Sequence, residues 1–179
     1  MYRIAVFGPA TLAGQEFLRL LEQQPLPIAE LRLLAEDFSV GRRVTFRERP
    51  LTIRAADTRS FQNIDLTFFF AGQDPSTRFT PIAVKSGSFV VDTSGAFRAE
   101  AAFPCVVPAL NGDELTPTTR LACTPTPATL LLAVPLYALD RAVGLRRVAT
   151  ATCHAVSDLG QTAFEELNTQ TRLVLEGRS

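Results

Sequence analysis

Two apolar periods alternate along this chain. Arg3-Ile-Ala-Val-Phe7 is a short β-rich run ending at Gly8, and Leu12, Phe17, Leu18, Leu20 and Leu21 then recur at helical spacing until Pro25. That is the pattern of strand, turn and helix. Leu31-Arg-Leu-Leu-Ala35 reads as a second strand, and residues 43–47 and 51–54, separated by Glu48-Arg-Pro50, read as a hairpin-like insertion. Ile64-Asp-Leu-Thr-Phe-Phe-Phe70 is too continuously apolar for a strand with one wet face, which predicts a central strand of a parallel sheet covered on both sides. A helix over residues 75–85 leads to the strand Phe89-Val-Val91, expected to lie parallel and next to it, and Cys105-Val-Val107 and Leu121-Ala-Cys123 are further short apolar runs.

Strands separated by helices give an α/β fold with a doubly wound, mainly parallel Rossmann sheet, because parallel neighbours need a crossover on the face of the sheet. The expected nucleotide-binding domain spans residues 1–122. Beyond it, Thr124-Pro-Thr-Pro127 opens a helix over residues 128–143 that Pro135 should kink, residues 147–156 alternate like a long strand, and Asp158 is placed to cap a last helix reaching residue 176. A strand and helix with nothing left to cover them predict that residues 123–179 are the beginning of a second, α+β domain of which the chain holds only part.

Composition narrows the function classes. Among 179 residues, 18 Lys+Arg balance 18 Asp+Glu, so bulk positive charge offers no hold on nucleic acid. The apolar run over residues 130–139 is interrupted by Pro135 and is short of the ~20 residues that a membrane span needs. No signal-peptide pattern follows Met1, and a cytoplasmic location without membrane partners is expected. Three cysteines, Cys105, Cys123 and Cys153, lack C-x-x-C spacing and fit reduced thiols better than disulfides or a metal site.

Gly8-Pro-Ala-Thr-Leu-Ala-Gly14 lies where a Rossmann domain places its phosphate loop, after the first strand and opening the first helix. Backbone N–H groups and the positive end of the helix dipole suit a pyrophosphate there. The spacing is nearer G-x-x-G-x-x-G than G-x-G-x-x-G, with Thr11 in the middle, where its side chain is expected to hinder close approach. Candidate nucleotide-binding residues are Gly8, Ala10, Thr11, Leu12 and Gly14, with Ala71 and Gly72 after the central strand. Ser39 and Arg42 follow the second strand, where a hydroxyl and a cation favour a ribose 2′-phosphate. Glu36 or Asp37 could instead serve a 2′-hydroxyl.

Several segments, in order, resemble the aspartate-semialdehyde dehydrogenase family. Phe7-Gly-Pro-Ala-Thr-Leu-Ala-Gly-Gln-Glu-Phe17 is similar to its V-G-A-T-G-A-V-G-Q-E-F, Ser39-Val-Gly41 to S-A-G, and Val91-Asp-Thr-Ser-Gly-Ala-Phe-Arg98 to I-D-N-S-S-A-F-R. Phe103-Pro-Cys-Val-Val-Pro-Ala-Leu-Asn111 is similar to V-P-L-V-V-P-E-V-N, and His154-Ala-Val-Ser157 to Q-A-V-S. The resemblance implies NADP as cofactor, a homodimer made through the second domain, and reduction of an acyl phosphate to an aldehyde through a cysteine thioester. It also implies that Arg98 grips a substrate phosphate and that His154 stands at a substrate-contacting glutamine. The chain departs from the pattern at the nucleophile: against N-P-N-C-S-T it reads Thr124-Pro-Thr-Pro-Ala-Thr129, with Pro127 in place of the cysteine. Cys123 is the nearest thiol and the one candidate nucleophile. Thr93 and Asp158-Leu159 also depart, replacing an asparagine and a small G-A. The resemblance therefore implies an NADP-binding domain impaired in catalysis. A non-catalytic scaffold or regulatory protein, or a relative of N-acetyl-glutamyl-phosphate reductase, are the competing readings.

Overall fold

A computed structural model describes residues 1–177, and the side chains of Asp158, Leu159 and Gln161 lie outside the described residues. Chain contacts divide it into two compact units, Met1–Thr126 and Pro127 onward.

The first unit is built on six strands: β1 (Tyr2–Phe7), β2 (Ile28–Ala35), β5 (Arg54–Ala55), β6 (Leu66–Phe69), β7 (Phe89–Asp92) and β8 (Leu121–Cys123). Their spatial order is β5-β2-β1-β6-β7-β8, and every pairing is parallel. Numbered by appearance within the sheet, this is 3-2-1-4-5-6, the doubly wound dinucleotide-fold order. The expected pairing of the two central apolar runs is present, with Leu66 opposite Phe89 and Phe68 opposite Val91. Cys105 makes a lone parallel bridge to Cys123 at the sheet edge.

Helices α1 (Leu12–Gln23) and α2 (Gln73–Lys85) supply the crossovers, and a single helical turn, α3 (Pro108–Asn111), precedes β8. The Phe68-Phe69-Phe70 run is apolar throughout because it serves two cores. Phe68 and Phe70 pack on Phe17 of α1, with ring centroids 4.5 and 4.9 Å away, while Phe69 stacks on Phe7 at 5.1 Å and faces Phe61. Strand β1 alternates likewise, sending Ile4 and Val6 to one buried cluster and Ala5 and Phe7 to the other. The insertion is the antiparallel hairpin β3 (Arg43–Phe46) and β4 (Arg49–Thr52), turning at Arg47 and Glu48 with φ of 47° and 64°. The turn is thus two residues long and earlier than Glu48-Arg-Pro50, since Arg49 and Pro50 already belong to β4.

One ion pair anchors the start of the sheet. Arg3 donates from its backbone N–H and its guanidinium to Asp65, and these bonds hold the Asp65 carboxyl down at about 2. A carboxylate depressed in the folded state adds stability above its unfolded value of about 4 and loses that contribution as pH falls towards 2. Acid titration of Asp65→Asn should therefore show a flatter stability profile between pH 4 and 2 than the parent chain; identical profiles would contradict this.

In the second unit, α4 runs Pro127–Val143 with Pro135 inside it, and α5 runs Gln161–Leu175. Two expectations need correction. Residues 147–155 form no strand; alternation defines a face, but a strand also needs a neighbouring ladder, and none is present among the described residues. The N-cap of α5 is Gly160, preceded by a 3-10 turn over Val156–Leu159, so Asp158 does not occupy the cap position.

Candidate dinucleotide site

The sheet order reverses between β2 and β6, which flank β1, and open α/β sheets bind ligands at the carboxyl ends of strands at such a point. The segments found there are the loop Gly8–Thr11 and the Ala71-Gly72 turn that leads into α2. Gly8 has φ +81° and lies so close to the chain after β6 that a Cβ would sit 2.9 Å from Ala71 N. At Gly14 a Cβ would fall 2.2 Å from the carbonyl oxygen of Gly8. The first turn of α1 therefore packs directly on the end of β1, which only glycine allows.

Thr11 is the N-cap of α1. Its hydroxyl accepts from Gly14 N at 3.1 Å and donates to Gly8 O at 2.9 Å. The hydroxyl thus fixes the loop and satisfies one orphan amide of the helix start, a role the sequence reading did not assign to it. The N–H groups of Ala10, Leu12 and Ala13 have no partner among the described residues, and Leu12 and Ala13 are exposed. These donors, at the positive end of α1, are the ones available to an anion. Removing the cap in Thr11→Ala should cost about 1 kcal/mol and Thr11→Gly only a few tenths. Chemical denaturation tests this, and an undiminished Thr11→Ala would show that the cap contributes nothing.

The loop after β2 holds the other candidates. Ser39 is buried and its hydroxyl has no partner among the described residues. A buried orphan hydroxyl costs about 1–3 kcal/mol, so this atom calls for a polar group supplied from outside. Arg42 is exposed beside it in the chain, with its backbone N–H bonded to Ser39 O. Asp37 accepts from Ser39 N at 2.8 Å. Glu36 receives Arg78 of α2, whose Nη2 donates to both carboxylate oxygens. Asp37 is exposed and bonded through Oδ1 alone, whereas Glu36 is engaged through both oxygens. That second contact was not legible in the sequence, since it joins residues 42 positions apart.

The residues tied to substrate chemistry are arranged differently. Arg98 gives Nε to Thr124 O at 2.6 Å and Nη2 to Thr93 O at 3.0 Å, beneath Gly95, where a Cβ would meet its guanidinium at 2.6 Å. It ties the loops after β7 and β8 together, instead of pairing with Asp92 or Glu100. Asp92 is fully buried and held by the hydroxyls of Ser76 and Ser94. Cys123 is 1% exposed at the end of β8. Burial, with the nearby charge of Asp92 adding to it, pushes its thiol up to about 11. A nucleophilic cysteine needs the opposite environment, so the structure argues against Cys123 in that role. Pro127 is the first residue of α4 and has no N–H to offer there. His154 lies in the second unit, exposed, with Nε2 3.1 Å from Thr152 Oγ1.

Comparison with known proteins agrees with this layout. Residues 3–117 match the family described as "Semialdehyde dehydrogenase, NAD binding domain". Over 98% of its length the chain is 35% identical to aspartate-semialdehyde dehydrogenase of Synechocystis, and over 96% it is 34% identical to that of Bacillus subtilis. It spans about half the length of these curated relatives, 52% and 50% respectively. Among solved structures, aspartate semialdehyde dehydrogenase II from Vibrio cholerae superposes with a TM-score of 0.91 at 28% identity, covering 99% of this chain and 54% of that one. A probable aspartate-semialdehyde dehydrogenase from Pseudomonas aeruginosa gives the same score at 29% identity. With its strand order, its glycine-lined loop and these matches in agreement, the chain belongs to the semialdehyde dehydrogenase family through that family's NAD-binding domain.

Proposed function

We propose that this chain holds NADP(H) in an aspartate-semialdehyde dehydrogenase-like protein that has lost the covalent dehydrogenation step. What carries the reading is the contrast between two helix starts: α1 keeps free amides in a loop cleared by Gly8 and Gly14, whereas α4 opens on Pro127 with no nucleophile.

The residues present fit the cofactor. The amides of Ala10, Leu12 and Ala13 would take the pyrophosphate, and the orphan hydroxyl of Ser39 with Arg42 would take the 2′-phosphate. Glu36 is already paired with Arg78, which favours NADP over NAD. When bound, the nicotinamide would supply or accept a hydride. The acyl chemistry that would go with it needs a thiolate beside the carbonyl carbon. Cys123 is buried and protonated at neutral pH, and Arg98 spends donors on two backbone carbonyls. A scaffold or regulatory role that keeps the nucleotide site follows from the same pair of observations.

The test is NADPH titration followed by fluorescence, with NADPH formation from aspartate semialdehyde and phosphate assayed in parallel. Saturable binding without turnover is expected. Turnover that disappears in Cys123→Ala would make Cys123 the nucleophile and overturn the proposal. Self-association through the second unit belongs to the same reading, because Leu131 of α4 is 77% exposed and Leu175 of α5 is 82% exposed. Sedimentation at the mass of two chains is expected, and a strict monomer overturns it.

A further inference from the structure

We propose that Arg78 determines which dinucleotide the site prefers, acting through Glu36; the inference rests on the nucleotide-site reading above. Glu36 follows β2 directly, the position from which an acidic residue in this sheet topology reaches a ribose 2′-hydroxyl and repels a 2′-phosphate. In this chain the carboxylate is turned to Arg78, in the second turn of α2, and both its oxygens accept from Nη2. The guanidinium also lies over the Phe79 ring, 5.3 Å from its centroid, and Phe79 is part of the core. The Arg78 side chain is 60% exposed, and its place on the ring gives the cation a second contact beside the ion pair.

Two consequences follow. A carboxylate engaged at both oxygens by Arg78 is less well placed to accept from a ribose hydroxyl, which weakens the usual source of NAD preference. Its charge is also cancelled close in the chain to Ser39 and Arg42, where a dianionic phosphate would bind. The neighbouring acid, Asp37, accepts from Ser39 N through Oδ1 alone. Arg78 is thus a positioning residue that converts an NAD-type acid into a neutral wall. A merely structural ion pair would weaken both dinucleotides together when broken, whereas a selectivity role changes their ratio.

The experiment measures NADPH and NADH affinity by calorimetry on the whole chain and on Arg78→Ala, Glu36→Gln and the double variant, each checked for an unchanged melting profile. Arg78→Ala is expected to lower the NADPH-to-NADH affinity ratio about tenfold by uncovering one charge near the phosphate. Glu36→Gln should keep or raise the ratio, and the double variant should match Glu36→Gln. An unchanged ratio in Arg78→Ala, or a double variant that falls as far as Arg78→Ala, overturns the role of Arg78 while leaving the nucleotide site standing. If the parent chain, folded, binds neither dinucleotide, the site reading itself fails and takes this one with it.

Discussion

Gly14→Ala is expected to destabilise the first unit by about 2 kcal/mol and to abolish saturable dinucleotide binding. Two effects oppose each other. Alanine is better than glycine inside a helix by about 1 kcal/mol. Against it, the new Cβ would lie 2.2 Å from the carbonyl oxygen of Gly8, and the obstacle is backbone at the end of a buried strand, not a side chain that can swing away. Overpacking of that kind costs typically about 1–3 kcal/mol, and a backbone obstacle belongs at the upper end. The clash therefore wins, and relief requires α1 to lift off β1. That movement pulls apart the loop whose amides at Leu12 and Ala13 are the proposed anion donors. Gly112→Ala is the control: Gly112 has φ −62° and nothing within 4 Å of its added Cβ, so it should be neutral or gain about 0.4–1 kcal/mol. Denaturant midpoints of the two variants decide the matter. A Gly14→Ala protein as stable as the parent would mean that the helix start is not packed as described.

The second large effect concerns the thiols. With its thiol at about 11, Cys123 should react with iodoacetamide at pH 7.5 at least two orders of magnitude more slowly than an ordinary cysteine titrating near 8.5. Cys153, which is exposed, serves as the internal reference. Because the thiolate is the reacting form, labelling of Cys123 should keep rising with pH towards 11. Peptide mapping of a labelling time course reads both rates from one sample. Equal rates at pH 7.5 would contradict the buried, protonated thiol and reopen a nucleophilic role.

Much of the first unit was legible because its elements carry their instructions locally. The Phe68-Phe69-Phe70 run announced a strand packed on both sides, and the two-period alternation around it announced the parallel crossover fold. Thr11 stood immediately before the first periodic residue of a helix, which is an N-cap signal; treating it as an obstruction to a phosphate overlooked that its hydroxyl has helix amides to satisfy. The failures lie where structure depends on distant partners. Residues 147–156 alternate as a strand does, yet no neighbouring strand is present to pair with them among the described residues. The Glu36–Arg78 contact and the Ser76–Asp92–Ser94 network join segments far apart in the chain, and no local pattern encodes them. The division of roles at Arg98 is of the same kind. Its residue type suits a phosphate, but the carbonyls of Thr93 and Thr124 that it meets are fixed by the ends of two strands.

The most direct test of the nucleotide site is an amide chemical-shift titration of the isotopically labelled chain with NADPH. Saturable shifts of the Ala10, Leu12 and Ala13 amides at one end and of Ser39 at the other are expected, fitting a single dissociation constant. Absence of shifts at these four positions at millimolar NADPH, in a folded sample, would contradict it.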